Sequence, residues 1–116
     1  MDEKIEKAFA VANFMATLAN QRRIILEEYN QSLLYYKNGA TFRITPELIS
    51  LVKTHLDLEK TTDIAFVDLN NLPVIISSVQ DFFNDITDLY FKATAEYAEK
   101  YKNIKSKRKI ADIIDL

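Results

Sequence analysis

The chain has 116 residues, 48% hydrophobic and 28% charged, enough for one domain with a buried core and too few for two. A formal net charge of −2 argues against a nucleic-acid-coating protein and against an acidic solvating tail. With no cysteine, disulfides, thiolate chemistry and sulfur-ligated metals are excluded, and the composition suits a reducing compartment.

From Asp2 to about Leu34 there is neither proline nor glycine. Ile5, Ala8, Ala12, Met15, Ala19, Leu26, Tyr29 and Leu33 recur at alternating steps of three and four, with Arg22 in the one missing place. That spacing predicts a helix with a repeat near 3.5 residues. A second apolar line, Phe9, Val11, Phe14, Leu18 and Ile25, gives the helix two surfaces to cover. Its length of roughly 50 Å exceeds the ~35 Å diameter of a compact domain of this size, so one end should protrude or pack on another chain. The acids Asp2, Glu3 and Glu6 before this apolar run, and Asn13 within it, speak against a signal peptide or a membrane span. The expectation is a soluble, intracellular protein.

The only glycine follows in Asn38-Gly39. The pair could form a two-residue type I′ hairpin turn, since both residues tolerate positive φ, or Gly39 could end the first helix as its left-handed C′ residue. The helical spacing carried by Leu26, Tyr29 and Leu33 favours the helix end. Ala40 to Thr45 then reads as a short strand. Thr45-Pro46-Glu47 is a helix start, with an N-cap, a proline at the first position and an acid in the first turn; a mostly buried helix follows to about Leu58.

Ile64 to Asp68 and Leu72 to Ile76 are apolar, β-branched runs around Asn70-Asn71, predicting a hairpin that pairs Val67 with Val74 and Phe66 with Ile75. Pro73, which cannot donate, should face its nitrogen away from a partner strand. Ser77-Ser78 with Gln80 and Asp81 is a capping pattern. It opens a second long helix along Val79, Phe82, Phe83, Ile86, Leu89, Tyr90, Ala93, Tyr97, Tyr101 and Ile104. The predicted fold is α+β in the order α-β-α-β-β-α: two long helices and one short helix packed with a small, mostly antiparallel three-stranded sheet. Residues 1–109 form one domain, with 110–116 as an apolar-acidic C-terminal tail.

No catalytic, cofactor or metal site stands out, and an enzyme is not expected. His55 is the only histidine and reads as a partly buried core residue. Asp81, Asp85 and Asp88 share a helix face; an acidic face at a helix N-terminus, favoured by the helix dipole, explains them without a cation. Asp63 and Asp68 flank a strand, where turn chemistry accounts for them. One glycine rules out a glycine-rich phosphate loop. Room for only one largely apolar helix between first strand and hairpin rejects a winged-helix DNA binder.

The candidate partner-binding residues are Phe14 and Leu18 on the first helix, Tyr97 and Tyr101 near the end where that helix would begin, and Ile110, Ile113, Ile114 and Leu116 in the tail. Lys105, Lys107, Arg108 and Lys109 form a basic patch that could grip phosphates with salt-sensitive contacts, though no interleaved aromatics or reading helix accompany it.

Phe42-Arg43-Ile44-Thr45-Pro46-Glu47-Leu48-Ile49, Ile64-Ala65-Phe66-Val67-Asp68 with Asn71-Leu72-Pro73-Val74-Ile75, Asp81-Phe82-Phe83 and Tyr97-Ala98-Glu99-Lys100-Tyr101 resemble segments of small uncharacterised proteins of T4-like cyanophages. The resemblance covers most of the chain and implies a phage protein acting in the host cytoplasm or in the virion. It transfers no functional residue. The function expected is a non-enzymatic protein–protein interaction protein, a phage structural or assembly component that associates through its long helices with itself, as a homo-oligomer, or with a larger phage or host protein. The alternatives are a regulatory adaptor docking a replication or transcription partner through its tail, and a nucleic-acid binder using residues 100–109.

Overall fold

The computed structural model describes residues 2–113, with side chains for residues 2–106. The element order is α1 (Glu3–Ser32), β1 (Leu34–Lys37), β2 (Ala40–Arg43), α2 (Pro46–Asp57), β3 (Thr62–Val67), β4 (Pro73–Ser78) and α3 (Val79–Ile113). The fold is α+β, but it has one strand more than expected, and its strands form two antiparallel pairs, β1–β2 and β3–β4, instead of one three-stranded sheet.

The missed strand lies where the helical spacing was followed too far. The α-helix stops at Ser32, and Leu34 to Lys37 turn back along β2 with Tyr35 opposite Phe42 and Lys37 opposite Ala40. Asn38 (φ 53) and Gly39 (φ 77) both lie in the left-handed region, as a type I′ turn requires. The glycine is a hairpin turn residue and not a helix cap. The aromatic pair Tyr35-Tyr36 suits a strand, and the turn preference of Asn-Gly outweighs the periodicity of Tyr29 and Leu33. The Ile44 N–H donates to the Leu33 carbonyl at 2.8 Å, extending the ladder one step.

The second hairpin also differs in register. Phe66 pairs with Val74 and Ala65 with Ile75, one residue from the expected alignment, because the loop holds three residues and not two. The Asp68 N–H bonds Leu72 O, the Asn71 N–H bonds Asp68 O, and Asn71 adopts φ 62. This is the type I turn plus left-handed residue of a three-residue hairpin. Asp68–Leu72 is then a bonded pair and Val67–Pro73 a non-bonded one, which aims the Pro73 nitrogen away from β3.

The chain divides into two compact units, residues 30–94 and residues 2–29 with 95–113. The helix α3 runs to Ile113.

In the unit of residues 30–94, Phe82 is the hub. Its ring lies 5.2 Å from Phe42, 5.4 Å from Phe66 and 5.9 Å from Tyr35, with Ile44, Val52, Ile76, Val79 and Ile86 buried beside them. Thr45 caps α2 by accepting from the Leu48 N–H at 3.1 Å, with Pro46 opening the helix. The far end closes as a Schellman motif: Lys60 N–H donates to His55 O, Glu59 N–H to Leu56 O, and Glu59 takes φ 60. Ser78 caps α3 through Asp81 N–H at 3.2 Å.

In the other unit, α1 and the last part of α3 run antiparallel. Tyr29 stacks on Tyr97 with centroids 4.6 Å apart, and one residue back along α1 Glu28 accepts from Lys100 Nζ at 2.7 Å. Leu18 and Ile104 are the buried apolar residues of this unit among those described.

Candidate functional site

Among the described residues no group of three or more histidine, cysteine, aspartate or glutamate side chains is placed to hold a metal ion. Of the polar residues weighed from sequence, His55, Asp85 and Asp68 have structural contacts. His55 places its ring 4.9 Å from Phe66 and its Nδ1 2.8 Å from Leu51 O. Asp85 accepts from the Tyr35 hydroxyl at 2.7 Å. Burial of Tyr35, with the hydrogen bond and negative charge of Asp85, pushes its phenol up to about 12.

Asp68 is buried and joins the two hairpins. Its Oδ1 accepts from Asn70 and Leu72 N–H, both at 2.9 Å, and its Oδ2 accepts from Thr41 N–H at 3.1 Å. Bonds from Leu72, Thr41 and Asn70 hold its carboxyl below the usual range against the opposing effect of burial. Leu69 N–H returns to Thr41 O at 2.8 Å. The carboxylate thus takes the Thr41 donor that a third strand's carbonyl would need, and β2 meets only the loop after β3, at Asp68 and Leu69.

In α1 the burial of Val11, Phe14, Leu18, Gln21, Arg22, Ile25 and Tyr29, all partly or fully covered, marks the seam facing α3. It takes in Val11, Phe14, Leu18 and Ile25 of the second apolar line but not Phe9, which is 56% exposed, together with Arg22 and Tyr29 of the first. The rest of the more regular line in α1 faces outward: Ala8, Ala12 and Ala19 are exposed, Ile5 and Leu26 are each 45% exposed, and Met15 is 41% exposed. At ~100° per residue, the two lines are about a quarter turn apart. Arg22 falls between them, its Nε buried and without a hydrogen-bond partner, as is the neighbouring Gln21 Oε1.

A second apolar surface lies on the β3–β4 hairpin. Phe66 and Ile76 point into the core, while the alternate positions Ala65, Val67, Pro73 and Ile75 are exposed, joined at the tip by Leu69 and Leu72. Sequence reasoning missed this face. Its signal was present: both strands are apolar at successive positions, the pattern of a sheet covered on both sides, yet only one side is covered in this unit.

The residues singled out from sequence are dispersed. Leu18 is buried and Phe14 half-buried in the seam, so they serve the unit's own interior. Tyr97 is half-buried against Tyr29, near the end of α1 and not its beginning, because it lies midway along α3 and not at its end. Tyr101 packs edge-on to Tyr97 at 6.4 Å and remains 43% exposed. Lys105 is exposed, and Lys100 is engaged by Glu28, whose hydrogen bond raises its pKa. Ile110 and Ile113 lie on the α3 backbone; their side chains, those of Lys107, Arg108 and Lys109, and all of Ile114 and Leu116 fall outside the described residues. No helix among the described residues is long and apolar enough to cross a membrane. Compared with protein families, curated proteins and solved structures, the chain matches none of them.

Proposed function

We propose that this is a non-enzymatic interaction protein, a phage structural or assembly component, and that it associates through the outward line of α1. The observation that carries the reading is the exposure of Ile5, Met15 and Leu26 along one helix face. Three large apolar side chains on one heptad frame, with alanines at positions between them, form a seam that a facing helix would remove from water at ~25 cal/mol per Å² of apolar area. The exposed outer face of β3–β4 supports the same reading, since contiguous apolar surface is where proteins meet partners.

A photoreactive side chain at position 15, on this line, should give covalent polypeptide adducts in cells producing the protein. The same group at position 17, on the exposed opposite side, should give few. Equal adducts at both positions, or none at position 15, would sink the reading.

A further inference from the structure

We propose that the occupant of the outward α1 line is a second copy of the same chain, with α1 packed antiparallel on α1 across a two-fold axis near residue 17. The inference rests on the interaction reading above and adds the identity and geometry of the partner.

Two observations lead to it. The first is angular. Each α1 carries one seam toward α3 and another about a quarter turn away, the arrangement of a helix with two neighbours on a square. Two copies of the antiparallel helix pair supply the four helices of that square. The second is size. In the two-fold register, Met15 meets Ala19 of the second copy, Ala12 meets Arg22 and Ala8 meets Leu26, so every alanine of the line faces a long side chain. A slip of one heptad in one direction sets Ala8 against Ala19 and leaves a gap; in the other it sets Met15 against Leu26 and crowds the seam. The line is complementary to itself in one register.

The natural chain has no cysteine, so single cysteines report on proximity without background. Met15→Cys and Ala19→Cys chains are prepared separately, confirmed helical by circular dichroism, and oxidised alone and as an equal mixture. The expected result is a covalent dimer that forms at least several-fold faster in the mixture than in either chain alone, with the unmodified protein twice the chain mass by light scattering. Faster reaction of each variant with itself would indicate a parallel pair and overturn the proposal. A dimer with no cross-link in any sample would place the interface elsewhere and also overturn it. A protein that stays monomeric overturns it as well; if the position-15 probe then captures a different polypeptide, self-pairing fails while the interaction reading survives.

Discussion

Asp68 accepts three backbone hydrogen bonds in its ionised form, at Asn70, Leu72 and Thr41, so protonation weakens the joint between the hairpins. Its pKa is held below the ordinary carboxylate value, which fixes the sign. The stabilisation is complete above about pH 4, the unfolded value, and is lost as pH falls through the lower folded value. Thermal unfolding followed by near-ultraviolet circular dichroism should therefore show a midpoint that declines below about pH 4. Asp68→Asn should lower the midpoint at pH 7 and flatten part of that acid limb, since an amide oxygen is a weaker acceptor for the same donors. An unchanged acid limb in the variant would show that Asp68 does not carry the dependence.

At the scale of elements, the turns decide more than the strands do. With a single glycine in the chain, Asn38, Glu59, Asp63 and Asn71 take positive φ alongside it. Gly39 has no atom within 4 Å of where a Cβ would stand, so Gly39→Ala meets no clash and costs only the left-handed backbone, about 1 kcal/mol. Urea unfolding should show that loss with an unchanged slope; full stability would contradict the type I′ turn. Element boundaries were legible where local chemistry is strong, as at Thr45-Pro46 and Ser78. They were not at Leu34 to Lys37, where an apolar repeat carried on past the last helical residue and only pairing with β2 distinguishes strand from helix. The β3–β4 register escaped for a related reason: Asn70-Asn71 reads as a two-residue turn until Asp68 is seen to hold a longer loop.

For the molecule as a whole, the sequence announced two long helices with two apolar lines on the first, and both helices are there. Which line faces inward could not be read from it. Within the regular repeat Arg22 and Tyr29 are half-buried, with Tyr29 stacked on Tyr97 of α3, while Ile5, Met15 and Leu26 are exposed, because partner position and not periodicity decides which face is used. Division into two units was equally hidden, since each long helix contributes residues to both and no linker composition marks a boundary. The exposed faces on α1 and on β3–β4 are visible only once the covered sides are known.

The measurement that bears most directly on this account is sedimentation equilibrium of the natural chain beside Ala12→Glu, a change at an exposed position of α1 that puts a charge into the outward line. The account predicts a concentration-dependent dimer for the natural chain and a monomer of unchanged helix content for the variant. A natural chain that is monomeric across the micromolar range, or a variant that dimerises as well as its parent, would contradict it.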